Sequence, residues 1–124
     1  VEKKNIKSLA LAPGAGFLTK SIEVPEWEGV KVTLREPSAE AWLRWQDAVK
    51  TDDDSESLSL SERARRNLHA DVTLFIDILR DEDGEPVFSV DEIEEVEHAY
   101  GPVHSRLLRQ ALDIINDTEI AKKK

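Results

Sequence analysis

The sequence predicts a mainly α protein, an N-terminal β-hairpin followed by a small bundle of about four helices. Three observations carry that prediction. Apolar and polar residues alternate on both sides of a glycine-containing turn in "SIEVPEWEGVKVTLREP". Beyond Pro37 the apolar residues recur at helical spacing. Helix starts are marked by Ser38, by Ser59 with Glu62, by Ser89 with Glu92, and by the Gly101-Pro102 break.

In chain order, residues 1–16 are expected to form a flexible arm, because Pro13, Gly14 and Gly16 interrupt regular structure. A single globular domain is then expected over residues 17–120, since a chain of 124 residues rarely buries two cores. The hairpin occupies about residues 20–35. A two-residue Glu28-Gly29 loop would set Trp27 opposite Val30 and mix the faces. A three-residue loop, Trp27 to Gly29, pairs Ile22 with Leu34, Val24 with Val32 and Glu26 with Val30, and is preferred because it keeps one face apolar. Gly29 suits the left-handed position of such a turn. A lone hairpin is marginal, so this one must pack on helices or on another subunit.

The first helix, about residues 38–50, follows Pro37 and carries Trp42, Trp45 and Val49 on one stripe, with Ala41 and Ala48 beside it. The tryptophans are expected in the core, clamping the hairpin's apolar face; the alternative is that one of them anchors an interface. "TDDDSESLS" is a charged loop with the composition of a disordered segment. The second helix, about 60–80, is oily nearly all the way round: at 100° per residue, Leu68, Val72, Leu74, Phe75, Ile76, Ile78 and Leu79 spread over roughly 200°, twice the usual stripe. The third, about 90–100, carries Ile93, Val96 and Tyr100. The fourth, about 102–118, is amphipathic, with Val103, Leu107, Leu108, Ala111, Leu112, Ile114 and Ile115 on one half. Residues 121–124 form a basic tail.

Composition narrows the function. Net charge is −9, yet residues 1–35 hold six Lys/Arg against four acids, so the remainder carries −11. An acidic body disfavours nucleic-acid phosphates. The mildly basic arm can dock instead on the acidic body of a neighbouring copy. The absence of cysteine rules out disulfides and thiolate metal sites, and no apolar run approaches the length of a membrane span. No catalytic residue, cofactor or metal is expected. His69, His98 and His104 lack the spacing of a zinc site. "DEDG" fails as a calcium loop, because Leu79 and Val90 would occupy the first and twelfth positions where acids are required. His104, Arg106 and Arg109 could open a recognition helix, but Glu92, Glu94, Glu95 and Glu97 on the preceding helix would repel a phosphate backbone.

The surplus of apolar surface on residues 68–79 asks for cover on two sides, either from the chain's own elements, with this helix at the centre of the bundle, or from a partner protein. Asp71 lies within the arc, so that flank is expected to be partly wet. The run "WEGVKVTLREPSAEAWLRW", followed by an acidic loop and three helices in a small acidic protein, resembles the tail assembly chaperones of long-tailed, siphovirus-type bacteriophages. The likeness extends from about residue 20 onward. It implies a non-enzymatic protein of the host bacterial cytoplasm that self-associates, binds the tape measure protein, helps the tail tube assemble and is absent from the mature virion. The tail tube protein is a second candidate partner; neither nucleic acid nor membrane is expected as one. In that family a ribosomal frameshift near the end of the short product makes a longer one, and the lysine codons of "AKKK" can supply a slippery tract.

On this reading Val72, Leu74, Ile76 and Ile78 of the second helix, with Leu108 and Leu112 of the fourth, are the expected partner-binding residues. Lys3, Lys4 and Lys7 of the arm, with Trp27, Val30 and Val32 of the hairpin, are the expected self-association residues. The alternatives are a small acidic regulator, either an antitoxin or a nucleic-acid mimic, and a structural head-to-tail adaptor.

Overall fold

The computed structural model describes residues 6–11, 16–50 and 59–114, with the side chain of Leu9 left out. Lys3 and Lys4, the acidic loop 51–58 and the basic tail lie outside the described residues. Within the arm, Ile6–Leu11 form a short helix, α1. β1 (Thr19–Val24) and β2 (Val30–Arg35) make the expected hairpin. Four helices follow: α2 (Ala39–Val49), α3 (Leu60–Ile78), α4 (Ile93–Ala99) and α5 (Pro102–Leu112).

The register differs from the expected one by two residues. Ile22 pairs with Val32, Val24 with Val30 and Lys20 with Leu34. Pro25 is the cause: it has no N–H to give to a ladder and its fixed φ starts a 3-10 turn over Pro25–Trp27. The connection closes through Glu28 and Gly29, both at positive φ, with Gly29 N–H donating to the Val24 carbonyl at 3.0 Å. A shift of two leaves every side chain on its own face. Val24, Val32 and Leu34 therefore still point into the core.

A second departure lies at the end of α3. The helix stops at Ile78, and Leu79-Arg80 turns extended to form β3, which pairs antiparallel with β2 through Leu34↔Leu79 and Thr33↔Arg80. The sheet order is β1-β2-β3. The turn after it is closed by Asp81, whose carboxylate accepts the N–H groups of Asp83 and Glu85 at 2.8 and 3.0 Å.

Helix α3 is the centre of the molecule, with α2 along one side and α4, α5 and β2 against the others. Ser59 caps it by accepting the Glu62 N–H at 3.1 Å. Its buried Thr73 is satisfied locally, donating its hydroxyl to the Ala70 carbonyl at 2.6 Å. Phe75, Leu74, Ile78 and Val72 are essentially sealed, each contributing about 1.5–3 kcal/mol of transfer free energy.

Asp77 ties three of these elements together. Its carboxylate accepts from Arg35 Nη2 at 2.9 Å and from the Ser38 N–H at 2.8 Å, while Ser38 Oγ caps α2 by accepting the Ala41 N–H at 3.1 Å. Arg35 also lies 4.3 Å from the Phe17 ring centroid, a cation–π contact. One acid thus fixes the end of β2 and the start of α2 against α3.

Candidate functional site

The apolar arc of α3 is covered by its own chain. Val72, Leu74, Ile76 and Ile78 are buried, as is Leu108 of α5. Of the two covers weighed for residues 68–79, a partner protein and the chain's own elements, it is the second: the sheet and three helices supply it, because a central helix can be apolar on several faces when short elements pack on each. Of the six expected partner-binding residues only Leu112 stays open, at 36% exposure. Asp71 is half-buried, as its place in the arc implied. Burial raises its pKa, against a hydrogen bond from Trp45 that lowers it.

The expected self-association residues divide in the same way. Val32 is buried in the core. Val30 is exposed at the end of β2, and Lys7 is exposed on α1. Trp27 is half-buried and meets His104 edge to face at 5.5 Å. His104 lies between rings, 5.2 Å from Phe75 and 5.3 Å from Tyr100, and its Nδ1 accepts the Gly101 N–H at 3.0 Å. Burial lowers the His104 pKa and pushes the Tyr100 hydroxyl up to about 12, with the Asp71 charge assisting at Tyr100. A neutral imidazole is what this cap requires, since protonated Nδ1 cannot accept.

Arg106, read from sequence as a possible phosphate contact, makes a bidentate pair with Glu26 at 2.6 and 2.8 Å and joins the hairpin turn to α5. Among the described residues no group of His, Asp and Glu side chains is arranged to hold a metal ion, and no helix is long and apolar enough to cross a membrane.

Open apolar side chains lie on other elements, α2 among them. Trp42 is 39% exposed and Leu43 60% exposed. Trp45 packs against the core, and Trp42 stacks edge to face on it at 5.8 Å. The expectation that both tryptophans clamp the hairpin is therefore corrected: α2 packs along α3, which places Trp42 at the rim. Leu43 was not singled out from the sequence. The signal was present, since Leu43 is a large apolar residue 100° off the Trp42 stripe of an amphipathic helix.

With apolar side chains held outside a closed core, the arrangement suits protein–protein contact. A comparison with curated proteins finds no match. A family model described as phage tail assembly chaperone matches residues 5–124. The solved structure of the bacteriophage HK97 tail assembly chaperone is similar at 62% sequence identity and a TM-score of 0.77, over 91% of this chain and 99% of that one. The chain belongs to the phage tail assembly chaperone family.

Proposed function

We propose that this protein self-associates and holds the tape measure protein during tail assembly, shielding apolar helical segments of that client until tube subunits replace them. The observation that carries the reading is the exposure of Trp42 and Leu43 on a helix whose other face is packed on α3. Leu112 adds a further open position on α5. An apolar helix face of this kind takes a client helix by side-chain packing. Self-association would array many copies on an elongated client, so that weak contacts sum to useful avidity. The arm lysines Lys3, Lys4 and Lys7 and the exposed Val30 are the proposed contacts between copies. The tail tube protein is a second partner of the same complex. The protein acts in the host cytoplasm and is left out of the finished particle, and a frameshift over the codons of Lys122 to Lys124 would supply the longer product.

The test is co-expression with a tagged tape measure protein. The double variant Leu43→Asp, Leu112→Asp should lose co-purification of the chaperone while its far-ultraviolet circular dichroism and melting temperature stay close to those of the parent. Retention of the client by a folded double variant would overturn this surface.

A further inference from the structure

A socket with apolar walls opens where Phe88, α4 and the start of α5 meet. It has a volume of about 220 Å³ and is lined by Phe88, Val96, Ala99 and His104, together with the exposed Glu95. The core holds its walls in place: Val96 is buried, and Phe88 packs on the core with its ring 6.4 Å from that of Phe75. His104 Nδ1 accepts the Gly101 N–H, so the ring stands there neutral and adds no positive charge. Sites for small molecules occupy roughly 300–1,000 Å³. A smaller hollow suits a single anchoring side chain.

The surroundings say what kind of segment that side chain belongs to. Val87 and Val90, next in sequence to the lining, are exposed and extend the apolar surface. Asp91, Glu94 and Glu95 are exposed as well, and among the described residues none of the three is in a salt bridge. No Lys or Arg occurs between Phe88 and Arg106, and Arg106 is held by Glu26. The chain as a whole carries −9. An apolar hollow flanked by uncompensated acids selects a basic partner over an acidic one. Lys and Arg fit doubly, since their stems can lie on the valines while their heads reach the carboxylates. We propose that the socket docks a cationic, amphipathic segment of the client, with one large aliphatic side chain entering between Phe88, Val96, Ala99 and His104 and flanking Lys or Arg side chains pairing with Asp91, Glu94 and Glu95. The proposal rests on the client-holding reading and gives the client segment its chemistry. A contact of this size is weak singly and adds to that of α2 through avidity.

Ala99 is exposed, so Ala99→Phe fills the socket from its mouth, while Glu95→Lys reverses the charge beside it. Glu82→Lys makes the same reversal at an exposed position on the turn after β3 and measures diffuse attraction. The probe is a fluorescein-labelled, alanine-based helix of about 15 residues with lysine flanks and one central leucine, followed by fluorescence anisotropy. It should bind the parent and weaken with salt. Removing the leucine, exchanging the lysines for glutamates, Ala99→Phe and Glu95→Lys should each weaken it about tenfold, and Glu82→Lys less than about twofold. Co-purification of the tagged tape measure protein should fall with Ala99→Phe and with Glu95→Lys, both keeping the circular dichroism of the parent. Probe binding that survives Ala99→Phe, or that Glu82→Lys weakens as much as Glu95→Lys does, overturns the proposal. If folded variants retain the client in full, the socket falls while the client-holding reading stands. A parent that fails to retain the client removes both. If Ala99→Phe weakens assembly in sedimentation velocity and leaves probe binding intact, the socket is a contact between copies and the proposal is again overturned.

Discussion

Asp77 is the side chain on which most local geometry converges, and its environment decides what its loss would do. Arg35 and Asp77 are close to buried, at 12% and 10% side-chain exposure, so neither is well screened by water. Truncating one member of such a pair leaves the other charged and desolvated. Asp77→Ala should therefore cost about 3 kcal/mol or more, seen as a fall in the urea midpoint at unchanged slope. The loss should exceed that of Ser38→Ala, which removes one cap worth about 1 kcal/mol. The two effects will not add, because the Ser38 hydroxyl donates to Asp77 Oδ1 at 3.2 Å and either substitution removes that bond. The Ser38 cap was legible in the sequence as a polar residue between Pro37 and an apolar stripe. The role of Asp77 was not. It depends on β2 and α3 lying side by side, a contact between residues 42 apart that no local pattern encodes.

Among elements, the local signals that survived are those whose cause is local. The Ser59 cap of α3 forms, and at Ser89 both halves of the capping box close, with Glu92 Oε1 accepting the Ser89 N–H at 2.9 Å. β3 was missed because two residues carry no periodicity and sit at the end of a strong helical stripe. The hairpin shows an intermediate case. Alternation fixes which residues face inward, but turn chemistry fixes the register, and Pro25 outweighs the shorter loop. Glycine at 29 is favoured by its φ of +74°; an added Cβ would lie 3.3 Å from Glu23 Oε1, the mobile end of an exposed side chain that can move aside. Gly29→Ala should destabilise by about 1–2 kcal/mol. Thermal unfolding followed by circular dichroism measures this, and an unchanged midpoint would show that the turn relaxes to another conformation.

For the whole molecule, the balance of cover around α3 separates what composition can say from what it cannot. The width of the apolar arc and its two possible meanings were read from the sequence; the choice between them was not, because the same arc serves a helix that waits for a partner and one already enclosed by its neighbours. Enclosure here depends on the hairpin staying docked on the helices, and the Glu26–Arg106 pair is one of the ties that hold it. The hydrogen bond from Arg106, joined by one from the backbone, lowers the Glu26 pKa from 4.5 to about 2. Since the folded value is the lower one, the unfolded chain binds the extra proton first. The contribution is then fully present above the unfolded value of 4.5 and is lost as pH falls towards about 2. Both side chains are 43% exposed, so the effect should be modest and should shrink with salt. Acid titration of the parent against Glu26→Gln tests this: their melting temperatures should differ at neutral pH, converge as pH drops through that window, and move closer in high salt. A difference that persists undiminished below the folded pKa would mean that Glu26 acts through packing at the hairpin turn and not through its charge.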